Sequence, residues 1–145
     1  MDTTPIGARL SQIRHSLRLL REIQKYSQAE FVQNPYLFNT AEHQFQIAIQ
    51  AALDIGGHIL AELGVDVPAD YADVFIQLGE VGVLPKAFAA RLVNMAKFRN
   101  VLVHLYLDVD LDKVYAYLQN NLDDLEEFAR HVVKFIERQA SSLSP

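Results

Sequence analysis

The chain has no cysteine among its 145 residues. That excludes a disulfide framework, a thiolate nucleophile and a cysteine-ligated zinc, and it suits a cytoplasmic protein. No apolar run approaches the length of a membrane span. The opening MDTTPIGARL lacks the apolar stretch of a secretory signal. Positive charge is also scarce: 13 Lys and Arg against 18 Asp and Glu give a net charge of −5. A general polyanion binder is therefore excluded, and any nucleic-acid site must be a local basic patch. No strand-like alternation, internal repeat or low-complexity tract is present.

What is there is helical periodicity. Half the residues are hydrophobic and about a fifth are charged, as in a globular protein. The length fits one domain spanning residues 1–145, with a frayed tail from about residue 141. Ile6, Leu10, Ile13, Leu17 and Leu20 recur at helical spacing. They predict a first helix that runs to about Glu30 and stops at Gln33-Asn34-Pro35. Phe38, Ala41, Phe45, Ala48, Ala52, Ile55, Ile59 and Leu63 predict a second, about 40 Å long at ~1.5 Å per residue, with Gly64 just past its end. A short helix is expected near Tyr71 to Gly79. A fourth starts near Pro85 or Lys86 with the stripe Phe88, Leu92, Met95, Arg99, Leu102, Tyr106. A fifth, from Leu111 to Ile136, takes Asp108 or Asp110 as its N-cap. Long amphipathic helices with short loops predict an all-α, up-down bundle of about five helices.

The fourth helix carries the anomaly. In Phe98 to Tyr106, FRNVLVHLY, four polar groups interrupt an otherwise apolar stretch. Arg99 takes a stripe position, and a buried guanidinium needs a partner, water or an anion. Tyr106 returns to nearly the same face seven residues on. Asn100 and His104 share the adjoining face, roughly 140° from Arg99 to His104. One helix does not focus these groups on one atom. A long arginine side chain can narrow the gap, and so can two copies facing each other across a two-fold axis. The set suits metal-free RNA cleavage. A neutral imidazole accepts a proton from a ribose 2′-hydroxyl. A guanidinium holds the scissile phosphate and stabilises its growing charge. Asn100 can orient either group. In a bundle, however, an arginine or histidine is more often a satisfied structural residue.

Arg99-Asn-Val-Leu-Val-His104-Leu-Tyr106 resembles the Arg-x4-His-x-Tyr motif of HepT toxins, members of the HEPN superfamily. The likeness extends from about Leu10 to Ile136. It takes in Ala51-Ala-Leu-Asp-Ile-Gly-Gly-His-Ile-Leu60, the run from Tyr71 to Leu84, and Val109-Asp110 with the long last helix. The resemblance implies a HEPN bundle that forms a homodimer, with the motifs of both subunits at a shared cleft. It implies a metal-independent endoribonuclease without a cofactor, with His104 as acid or base, Arg99 on the phosphate and Asn100 in support. It also implies a partner, a minimal nucleotidyltransferase (MNT) antitoxin that transfers AMP to Tyr106. A bulky anionic adenylate there blocks an RNA cleft by its size and charge.

Other residues carry weaker expectations. Arg14, Arg18, Arg21 and Lys25 form a basic stripe on the first helix that can hold RNA phosphates, bind an acidic partner or simply face solvent. Asp54 and His58, four apart, can pair and support His104; no metal-ligand set surrounds them. His15, His43 and His131 are expected at the surface. The seven acids from Asp108 to Glu127 can dock a basic partner or form a solvated face. The alternative to an enzyme is a non-catalytic HEPN dimer that serves as an assembly module for a nucleotidyltransferase.

Overall fold

Ser27 and Glu30 decide where the first helix ends. Ser27 Oγ accepts from the Glu30 backbone N–H at 3.2 Å, and the Glu30 carboxylate accepts from the Ser27 N–H at 3.4 Å. This capping box starts a new helix and splits the expected first one in two. The computed structural model describes residues 1–103 and 110–143. It gives α1 Thr4–Gln24, α2 Gln28–Gln33, α3 Pro35–Glu62, α4 Tyr71–Glu80, α5 Lys86–Val103, α6 Leu111–Asn120 and α7 Leu122–Leu143, with no strand among the described residues. The orphan carbonyls at the end of α1 are taken by α6. Gln119 Nε2 donates to the Gln24 carbonyl at 2.9 Å, and the Tyr115 hydroxyl to that of Tyr26 at 2.7 Å.

The expected fifth helix is also two. α6 is capped by Asp110, whose Oδ1 accepts from the N–H groups of Asp112 and Lys113. It ends where the Asn121 N–H bonds the Tyr117 carbonyl at 2.9 Å. Asn121 leaves the helical region, at φ −124° and ψ 4°, and α7 begins at the next residue. The second, third and fourth helices begin where expected, but Ser141 to Leu143, expected to fray, still belong to α7, and the two splits make seven helices of the expected five among the described residues. α3 starts at the Asn34-Pro35 pair and ends in a Schellman turn. Gly64 has φ 74°, and the Val65 N–H reaches the Leu60 carbonyl at 2.9 Å.

α3 lies at the centre and touches each of the other six helices. Phe45, Ala48, Ile49, Ala52, Ile55, Ile59 and Leu60 on it are 0–1% exposed. α4 fits closely because of two glycines. A Cβ at Gly56 would lie 2.8 Å from Val74 Cγ1, and one at Gly79 would lie 2.8 Å from Ala89 Cβ. These contacts let α4 sit against both α3 and α5, which brings its first residue, Tyr71, to the arginine of the motif.

Glu42 on α3 is 8% exposed, and burial pushes its carboxyl above the ordinary value of 4.5. The folded chain therefore holds that proton more tightly than the unfolded chain. Its contribution is intact below the unfolded value and is lost as pH rises through the folded one. Glu42→Gln is expected to raise the melting temperature near pH ~7 and leave it unchanged near pH ~4. Thermal melts at the two pH values measure this, and an equal gain at both would contradict it.

Candidate active site

The stripe Phe88, Leu92, Met95 and Leu102 of α5 is buried, and Arg99 is only half-buried among those positions. Its guanidinium is well held. Nη2 donates to Gln50 Oε1 on α3 at 3.1 Å, and Cζ lies 4.5 Å from the centre of the Tyr71 ring. The ring attracts the cation through its negative face. Gln50 Nε2 in turn donates to Asp54 Oδ1 at 2.9 Å, and Arg9 Nε on α1 meets Asp54 Oδ2 at 3.2 Å. One turn earlier on α3, Gln46 donates to the Leu102 carbonyl at 3.4 Å. Residues 46, 50 and 54, at steps of four, thus present one polar edge to α5 and α1.

Asn100 is exposed. His104 and Tyr106 lie outside the described residues. The expected pairing of Asp54 with His58 is not formed. Asp54 is taken by Arg9 and Gln50, whereas His58 Nε2 bonds the Asp2 carbonyl at 2.9 Å and faces Glu62 at 3.6 Å. Asp54 therefore connects to Arg99, through Gln50, and His58 belongs to the packing of the N-terminus. Among the described residues no group of three His, Asp or Glu is placed to hold a metal ion.

The basic stripe of α1 divides into two kinds of residue. Arg21 is bound by Asp123 and Glu126, both at 3.0 Å, and Lys25 by Glu22 at 3.2 Å. Burial lowers the Arg21 pKa, but the hydrogen bonds its guanidinium donates to Asp123 and Glu126 outweigh it and the net shift is upward. Arg14 and Arg18 make no ion pair among the described residues, and they line a groove of about 740 Å³ between α1 and α7. Arg130 and Lys134 line the opposite wall, and Leu17, Ala129 and Val133 contribute its apolar surface. The acids of the 108–127 block are largely occupied within the fold. Asp123 and Glu126 hold Arg21, and Asp124 and Glu127 hold Arg91 at 3.0 and 3.3 Å. His15 and His43 are exposed as expected. His131 is not: it packs on the Phe88 ring at 5.3 Å and faces Glu127 at 3.2 Å.

A family described as ribonuclease HepT-like matches residues 13–132, a range that contains the whole Arg99 to Tyr106 segment. The chain belongs to the HepT-like ribonuclease family. It is 27% identical over 131 residues to the tRNA nuclease HepT of Aphanizomenon flos-aquae, covering 90% of this chain and 89% of that relative. It is 28% identical over 100 residues to the mRNA nuclease HepT of Shewanella oneidensis, covering 69% and 75%. The fold superposes with a TM-score of 0.82 on a tri-AMPylated HEPN toxin of Shewanella oneidensis solved in complex with an MNT antitoxin. That match has 23% identity and covers 92% of this chain and 99% of the other. The cytosolic protein YutE of Bacillus subtilis gives a TM-score of 0.83 at 20% identity, over 100% and 95% of the two chains.

Two features of this HepT-like chain escape its sequence. Gln50 carries no charge and belongs to no motif, so only the tertiary structure shows that it meets Arg99. Arg130 and Lys134 are four apart, a readable signal, but they follow the acidic block and their pairing with the α1 stripe depends on how α7 crosses α1.

Proposed function

We propose that this chain is the toxin of an MNT-partnered toxin–antitoxin pair and that it cleaves RNA without a metal ion. The reading is supported by the family match over residues 13–132, the range that holds Arg99, His104 and Tyr106, together with an Arg99 that makes no ion pair among the described residues and donates to the neutral amide of Gln50. On this reading His104 takes the proton of a ribose 2′-hydroxyl. The 2′-oxygen attacks the adjacent phosphorus, the bond from phosphorus to the 5′-oxygen breaks, and that oxygen takes up a proton from water. The products carry a 2′,3′-cyclic phosphate and a 5′-hydroxyl. Arg99 binds the non-bridging oxygens as their charge grows. Asn100 supports one of the two. The protein works in the cytoplasm as a homodimer whose two motifs share a cleft.

Arg14 and Arg18, joined by Arg130 and Lys134, hold flanking RNA phosphates. Removing two such contacts reduces the slope of log affinity against log salt by about 1.4–1.8, at ~0.7–0.9 per phosphate. Filter binding with Arg14→Ala/Arg18→Ala measures it, and an unchanged slope would remove the groove from the RNA path. Regulation follows from Tyr106. Co-expression with a minimal nucleotidyltransferase is expected to add AMP to this tyrosine and silence cleavage. Intact-mass spectrometry with peptide mapping reads the modification, and an inactive complex with unmodified Tyr106 would refute it.

A further inference from the structure

Gln50 sits between a cation and an anion. We infer that it is a positioning residue, which aims the Arg99 guanidinium and leaves that cation's charge available for a phosphate. The inference rests on the ribonuclease reading of Arg99 and adds Gln50, Asp54 and Arg9 to it.

The orientation of the Gln50 amide is settled by its two neighbours. An ionised carboxylate only accepts hydrogen bonds and a guanidinium only donates them. Asp54 Oδ1, 2.9 Å from Gln50 Nε2, therefore claims the amide NH2. This leaves Oε1 for Arg99 Nη2 at 3.1 Å. The flipped amide would set oxygen against carboxylate and NH2 against guanidinium, so it is disfavoured at both ends. Asp54 is itself fixed by Arg9 at 3.2 Å. The Tyr71 ring lies against one face of the guanidinium, at 4.5 Å, and confines its plane. Arg99 is thus held from two directions by α3 and α4, while only one of its N–H donors is committed to Gln50.

The charge pattern is as telling as the geometry. Arg9 offsets Asp54, and Gln50 is neutral, so no carboxylate among the described residues pairs with Arg99. A carboxylate at position 50 would bind the guanidinium as an ion pair and occupy the donors that a phosphate needs. Packing alone would tolerate glutamate in place of glutamine, because the two have nearly the same shape. Function would not.

Two readouts on the full-length protein test this. In arginine-labelled NMR, the Arg99 Nη2 protons, one of which is donated to Gln50, are expected to be resolved and slow to exchange, unlike those of exposed Arg14 and Arg18. Gln50→Leu is expected to collapse them to the exposed pattern. In RNA cleavage, Gln50→Glu is expected to lower kcat/KM by about 10²-fold near neutral pH, the scale of losing one charge-stabilising donor. The ratio of Gln50→Glu to wild-type activity should rise as pH falls. Once protonated, the introduced carboxyl accepts from Arg99 and donates to Asp54, as the amide does. A purely structural residue would not give that pH-dependent ratio. Equal NMR behaviour in Gln50→Leu and wild type, or full activity of Gln50→Glu at neutral pH, would overturn the inference while leaving the ribonuclease reading intact. Failure of the wild type to cut RNA would sink the ribonuclease reading, and the NMR comparison would still decide whether Gln50 positions Arg99.

Discussion

His104→Ala is expected to lower the rate of RNA cleavage by about 10²–10⁴-fold, the usual worth of general acid–base catalysis. Arg99→Ala should cost about 10²–10³-fold, through loss of charge stabilisation on the phosphate. The two losses should differ in kind. A missing proton acceptor acts on kcat, because a neutral 2′-hydroxyl still binds. A missing guanidinium should act on kcat and on substrate affinity together, since in its proposed role it meets the phosphate in both ground and transition states. The double variant should fall well short of the product of the two losses, because groups acting on one transition state are not additive. Single-turnover cleavage of a labelled RNA by the three variants measures all of this. Both single variants cutting within about threefold of wild type would rule out the assigned roles. Arg99→Ala should not unfold the protein, since Arg99 is only half-buried and its stacking on Tyr71 is worth ~0.5–2 kcal/mol.

Phe45→Ala is expected to cost about 3–5 kcal/mol, the range for deleting a buried aromatic ring. Phe45 is 0% exposed at the centre of α3. Its ring meets Phe98 of α5 edge-on at 5.2 Å and Tyr117 of α6 at 5.3 Å. Phe98 and Tyr117 stack on each other at 3.9 Å with planes 9° apart. Three helices are joined by these three rings, and the residue after Phe98 is Arg99. The loss would thus remove a large share of the ~5–15 kcal/mol that stabilises a typical domain. It would also loosen the end of α5 on which the motif begins. Urea unfolding followed by far-UV circular dichroism gives the cost. A loss below about 1 kcal/mol would mean that the ring cluster does not anchor α5.

Much of this fold is legible in the residue pattern. Ala41 to Ile59 of the α3 stripe and Phe88, Leu92, Met95 and Leu102 of α5 are buried where their spacing puts them, whereas Phe38 is half-buried and Leu63, just past α3, is exposed. Gly64 and Asp110 end and begin helices as their chemistry requires. The misses have distinct physical causes. Apolar spacing of three and four continues across Leu118, Leu122 and Leu125, so periodicity is blind to the single non-helical residue Asn121 between α6 and α7. The break between α1 and α2 was signalled by Ser27 and Glu30, whose reciprocal bonds outweigh the continuing helix propensity. At the site, the sequence singles out Arg99 because it stands where an apolar residue belongs. Its partners Gln50 and Tyr71 come from α3 and α4, and no local pattern encodes that meeting. Asp54 stands out as an ionisable residue four from His58, but its actual partners are four residues back and on another helix.

The most direct test of the central claim is cleavage of total cellular RNA by purified, unmodified protein in excess EDTA, with mapping of the new ends. Metal-independent cutting that leaves 2′,3′-cyclic phosphate and 5′-hydroxyl termini, and that disappears in His104→Ala, is the predicted result. No cutting by the wild type, cutting only when a divalent metal is restored, or undiminished cutting by His104→Ala would contradict it.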